Sequence, residues 1–269
     1  MHPNFSFNFL LFSFNASAYS IFFWAALFVF VFGSYFFATR KMHLEKRRVG
    51  CFLLIVVIAG VIGARVLNAF LNLEFYFNNP QRFWSLKLQG FSVFGAFLAI
   101  PFGWIYCRLF KLDLWKIADS ITPFLGFGIA LMRMGCFLNG CCYGKETKLP
   151  WGVAFPSMGR NHLHQISENP FLLLSGPAAV HPTQLYELLA ALTGGIAAFF
   201  LLGKKLPSGA VFLVFAIWFS VFRFLNNFLR VPPSTFDAPE LFYPVFYIFF
   251  ISLGGFLLFK RLRNSSKKV

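Results

Sequence analysis

The run CFLLIVVIAGVIGARVLNAFL at residues 51–71 carries one charge, Arg65. A hydrocarbon layer needs about 20 such residues at roughly 1.5 Å rise each, so this stretch reads as a membrane-crossing helix. Six more runs have the same character, at about 19–38, 91–110, 118–138, 183–202, 209–229 and 241–259. The whole chain of 269 residues is 58% apolar and 12% charged, with a mean hydropathy of +0.68. Soluble domains carry about 25% charged residues, which excludes a water-soluble fold. The expected class is all-α, a polytopic membrane protein of about seven transmembrane helices.

Basic residues set the expected orientation. Of 24 Lys and Arg, fifteen fall on one side of the predicted spans, in the clusters Arg40–Arg48, Arg108–Lys116, Lys204–Lys205 and the tail from Lys260; six fall on the other. Cytoplasmic loops attract positive charge, which places the N-terminus outside and the C-terminus in the cytoplasm. The net charge of +15 therefore belongs to loops flanking spans, where anionic headgroups hold it, and argues against nucleic acid as a partner. The first 18 residues lack a basic n-region and give no cleavable signal peptide. Their alternation of apolar and polar residues suits the outer interface.

The chain reads as a single integral membrane domain over 1–269, without an internal repeat. Two extramembrane stretches are long. Residues 72–90, with FYFNNPQRFWSLKLQG, have the aromatic, amphipathic character of an interfacial arm. Residues 139–182 form an outer, periplasmic-side loop, and a loop of that length is uncommon without a role; a cap is expected.

Charges inside spans are costly and usually face a polar cavity. Arg65 and Asp119 read equally as structural pairs. Arg133 and Arg223 form a ready anion site, because a planar guanidinium grips phosphate oxygens at two points. Gly135 and Asn139-Gly140 follow Arg133 and let a headgroup approach backbone. RFLNNFLR at 223–230 sets Arg223 and Arg230 seven residues apart on one helical face, ended by Pro232-Pro233. Tyr186 and Glu187 lie near the outer end of the fifth span and can share the cavity. Cys136, Cys141 and Cys142 make C-x4-CC, whereas zinc or redox sites favour C-x2-C with a second pair or histidine. His162, His164 and His181 are irregularly spaced, so no metal and no cofactor is expected. A disulfide and a nucleophilic thiol both remain open.

The blocks MRMGCFLNGCCYG (132–144), PWGVAFP (150–156) and HPTQLYE (181–187) resemble the prolipoprotein diacylglyceryl transferase family. The opening MHP, IGARVLNAF, DSITP at 119–123 and the late Arg-x6-Arg are also similar. The resemblance implies a bacterial cytoplasmic (inner) membrane enzyme with seven helices. Its reaction would move the diacylglyceryl group of phosphatidylglycerol onto the lipobox cysteine of a prolipoprotein signal peptide, releasing glycerol phosphate. It further implies Arg133 and Arg223 as catalytic, phosphate-binding residues. Tyr19, Asn139, Gly140 and Gly144 match substrate-cavity positions, joined by Tyr186, Glu187 and Arg230. Glu187 and His181 are possible bases, or orienting residues. Three departures stand out: Phe94 occupies the histidine position of the family's His-Gly-Gly motif, Cys136 an asparagine position, and Asn227 a glutamate position. Phenylalanine takes no proton, so thiol activation is the step placed in question. A non-catalytic lipid-binding relative and transfer to a different acceptor are the competing readings; a transporter would show broken helices in symmetric halves, which the sequence lacks.

Overall fold

The computed structural model describes residues 4–9, 12–84, 93–231 and 241–266. The alternating N-terminal stretch forms a hairpin, with β1 (Asn4–Phe9) antiparallel to β2 (Phe12–Ser17) and Asn4 opposite Ser17. A period of two is that of a strand. Ser17 then caps the first helix, its Oγ accepting from Ser20 N at 3.1 Å and satisfying one of the orphan donors of that helix.

The remainder is helical: α1 (Ala18–Phe28), α2 (Ser34–Arg40), α3 (Lys46–Leu71), α4 (Leu73–Asn78), α5 (Ala99–Leu109), α6 (Leu114–Leu138), α7 (Arg160–Glu168), α8 (Leu172–Ser175), α9 (Thr183–Leu202), α10 (Ala210–Asn227) and α11 (Phe242–Ser266). A π-helical turn, Val29–Gly33, joins α1 to α2. Among the described residues six helices are long and apolar enough to cross a membrane: Ala18–Arg40, α3, α6, α9, α10 and Phe242–Ser265. The chain is a multi-pass membrane protein. Leu54, Ile58 and Ile62, four residues apart on α3, are about half exposed or more, a stripe that suits acyl chains and not water.

The third expected crossing differs. Its first half is a 3-10 helix, Val93–Leu98, that runs into the 11-residue α5; residues 91–92 lie outside the described set. The cause is a backbone contact. A Cβ on Gly95 would sit 2.2 Å from Gly63 O, and one on Gly63 would sit 2.3 Å from Gly95 O. Hydropathy carries no trace of such a contact. The stretch expected to form an interfacial arm holds α4 and the 3-10 turn Pro80–Arg82, while residues 85–90 lie outside the described residues, as does Pro232-Pro233.

Two compact units divide the chain, one of residues 31–121 and one combining 1–30 with 122–269. In the first, α3 packs on α5 through Phe52 and Tyr106, and Arg48 Nη1 donates to Phe110 O at 2.9 Å. Arg65 and Asp119 are both buried. In the second, α9 packs against α6 through Gly126, where a Cβ would meet Ala191 O and Gly195 Cα at 2.7 Å. Small residues of this kind let membrane helices pack where apolar burial gives no drive. Trp218 of α10 donates to Ala190 O at 2.9 Å, and α11 packs along α10.

Candidate functional site: an arginine cage around one carboxylate

Glu187, one turn into α9, is 2% exposed. Arg133, near the end of α6, brings Nε to 2.5 Å from its Oε2, a charge contact without the alignment of a hydrogen bond. Arg223, late in α10, donates from Nη1 to Oε1. Arg230, just beyond α10, holds Nη1 3.8 Å from the same oxygen. Asn226 donates to Oε1 at 2.9 Å and to Thr183 O at 3.3 Å. Tyr247 of α11 receives Arg223 Nε at 3.2 Å and Nη2 at 2.8 Å. Three guanidiniums thus share one carboxylate, which leaves two positive charges in excess within a largely buried cage. The Nε of Arg230 is buried without a hydrogen-bond partner. At low dielectric an unmet donor of this kind favours an incoming anion.

The loop after α6 builds the adjoining wall. Gly140 N bonds Phe137 O at 3.1 Å and Cys141 N bonds Cys136 O at 3.1 Å, the paired pattern of a Schellman cap. Gly140 takes φ +66° to make it, a conformation that glycine adopts without strain. The turn carries Cys141 and Cys142 back over Cys136, so that the three sulfurs lie within 4.8 Å of one another. Arg133 Nη1 reaches Cys136 Sγ at 3.9 Å. Among these thiols, Cys142 is held well below the ordinary thiol range by hydrogen bonds from Cys136 and Cys141 and by the nearby Arg230 and Arg133 charges. Hydrogen bonding with Cys142 and burial push Cys141 up, although Cys136 acts in the other direction.

Gly144 locks this loop to the others. It bridges to Arg230, its N donates to His181 O at 2.9 Å, and a Cβ there would fall 2.6 Å from Leu229 O. Lys145 N bonds Leu229 O at 2.8 Å. Thr183 Oγ1 donates to Cys142 O at 2.8 Å, and Gln184 Nε2 to Cys141 O at 2.7 Å. His181 Nδ1 is 3.4 Å from the Tyr186 hydroxyl, which accepts from Trp151 Nε1 at 2.8 Å. Tyr19 packs against α6 at Gly135, next to Cys136 in sequence: a Cβ on Gly135 would meet its Cα at 3.4 Å.

Arg133, Arg223, Arg230 and Glu187 therefore meet in one cage, and Asn139, Gly140 and Gly144 shape the loop beside it. His181 and Tyr186 form a separate pair tied to Trp151. Phe94 belongs to the 3-10 helix Val93–Leu98, and its side chain lies outside the described residues; Asn227 ends α10. The motif reading missed Asn226 and Tyr247. Asn226 had a signal, a polar amide within an apolar span. Tyr247, one ring among the aromatics of FYPVFYIFF, had none.

A family model described as prolipoprotein diacylglyceryl transferase matches residues 7–259. The chain belongs to that family. Relatives named phosphatidylglycerol–prolipoprotein diacylglyceryl transferase occur in Nitratidesulfovibrio vulgaris (strain DP4), 34% identical over 66% of this chain and 62% of the relative, in Clostridium tetani, 32% over 74% and 78%, and in Geobacter sulfurreducens, 30% over 72% and 70%. The chain thus aligns with less than two thirds of the length of the Nitratidesulfovibrio relative. Membership of the prolipoprotein diacylglyceryl transferase family accords with the blocks at 132–144 and 181–187, both of which contribute to the cage.

Proposed function

We propose that this chain transfers the diacylglyceryl group of phosphatidylglycerol to the lipobox cysteine thiol of a prolipoprotein and releases glycerol phosphate. The proposal places it in the bacterial inner membrane, with the cage and the 139–182 cap facing outward, as the distribution of basic residues favours. One observation carries it: the cage of Arg133, Arg223 and Arg230 around Glu187, with its two excess positive charges.

The charge count suits the reaction. The phosphodiester of the donor lipid is a monoanion, and the departing glycerol phosphate approaches a dianion as the carbon–oxygen bond breaks. A site with two positive charges gains more from the second than from the first, and that difference lowers the barrier. Glu187 commits both oxygens to arginines, which makes it the organiser of the cage and leaves it poorly placed as a base. Tyr247 and Asn226 hold Arg223 and Glu187 in register, so the donor fork is set before lipid arrives. Tyr19, Asn139, Gly140 and Gly144 line the approach, and His181 with Tyr186 steadies the mouth.

The test is reconstitution in membranes containing phosphatidylglycerol with a lipobox peptide. A diacylglyceryl mass gain on the peptide with stoichiometric glycerol phosphate is expected. Phe94, where the family motif has histidine, favours a second reading, a lipid-binding relative without turnover; phosphatidylglycerol binding with no product would select it.

A further inference from the structure

Resting on the transferase reading above, the geometry points to a zinc ion held by Cys136, Cys141 and Cys142, with its fourth coordination position open to the acceptor thiol. The three sulfurs already lie within 4.8 Å of one another. Around zinc at about 2.3 Å from each sulfur they would stand roughly 3.8–4.0 Å apart, less than an ångström of contraction. Their backbone is fixed without the metal. The Schellman cap bonds Cys141 to Cys136, and Gln184 and Thr183 hold the carbonyls of Cys141 and Cys142. Cys142 is kept at φ +63°, unusual for a residue with a side chain, and this turns it toward the other two.

No histidine or carboxylate joins the trio among the described residues, so three protein ligands would leave the position that catalytic zinc keeps open. Cys136 is buried while Cys141 and Cys142 are half-buried, which leaves access from the loop side. Three thiolates with Zn2+ carry one net negative charge, and the arginine cage beside them carries the opposite sign. A thiol that coordinates zinc loses its proton outright, which supplies the activation that Phe94 cannot.

The step balances without any redox partner. The acceptor S–H gives its proton to solvent on binding. The sulfur's electron pair forms the C–S bond to the glyceryl carbon, the C–O bond breaks toward phosphate, and glycerol phosphate leaves into the cage. Zinc remains divalent throughout.

Full-length protein purified into phosphatidylglycerol nanodiscs without chelator is expected to hold one zinc per chain by elemental analysis. Replacement of zinc by Co2+ should give thiolate-to-cobalt absorption. The Cys136→Ser/Cys142→Ser variant should lose the metal, keep phosphatidylglycerol binding, and turn over about 10²–10⁴-fold more slowly. Its residual rate should rise tenfold per pH unit up to about 8.5 as free peptide thiol ionises, where the unmodified protein is flat. Metal-free native protein, a disulfide joining two of the three, or an unchanged rate in the variant overturns the zinc site and leaves the transferase reading standing. Binding of lipid without turnover in either protein would remove the transferase reading, and the zinc content then decides the metal site by itself.

Discussion

Glu187 is the residue on which the cage depends, because among the described residues its carboxylate is the one that pairs with three guanidiniums, drawn from α6, α10 and the segment after α10. Removing one partner of a buried ion pair costs about 3–5 kcal/mol. Glu187→Gln should lower resistance to thermal unfolding in detergent by that order and abolish product formation. An unshifted unfolding curve would mean that the arginines relax into lipid headgroups instead. Arg133→Lys and Arg223→Lys keep the charge but lose the fork, and each should cost about 10²–10³-fold in turnover with lipid binding weakened less. Full activity in Arg133→Lys would refute the two-point grip. In metal-free protein, alkylation of Cys142 should reach its plateau at lower pH than that of Cys141, since hydrogen bonds from Cys136 and Cys141, joined by the Arg230 and Arg133 charges, favour the Cys142 thiolate; peptide mass spectrometry across a pH series reads the order directly. Arg133 and Arg223 were legible because a charge within an apolar run needs a reason. Their common partner was legible only in part, since pairing across α6, α9 and α10 is a matter of helix rotation that the chain does not spell out.

Elements show where periodicity suffices and where it fails. Spans α3, α9 and α10 follow from length and apolarity alone, and the structure returns them within a few residues. The crossing at 91–110 does not, because the touching backbones of Gly63 and Gly95 belong to two segments far apart in sequence. Asn139-Gly140 carried a helix-stop signal, yet the return of Cys141 over Cys136 depends on the pattern of the cap. Gly144 is the corresponding test for the loop. Gly144→Ala would place a Cβ 2.6 Å from Leu229 O and 2.7 Å from His181 Cβ, so the Arg230 segment must shift. Turnover should fall by about 10²-fold, the cost of a misplacement near 1 Å, with the helical circular dichroism unchanged. Loss of helicity together with activity would assign Gly144 to folding and not to placement of Arg230.

At the scale of the molecule, the basic clusters at 40–48, 108–116 and 204–205 and in the tail predict that a protease site appended after Val269 is cut in inside-out vesicles and spared in intact spheroplasts. The reverse pattern would turn the proposed cap toward the cytoplasm, away from any exported acceptor. The excess of cationic charge in the cage has a further consequence for throughput. A chamber tuned to a dianion retains glycerol phosphate more firmly than it receives a neutral-tailed monoanionic lipid, so egress of the spent headgroup, and not bond cleavage, sets the pace once both substrates are plentiful. Added glycerol phosphate should then act as a competitive inhibitor against the donor lipid, and the enzyme would run fastest where that by-product is swept away.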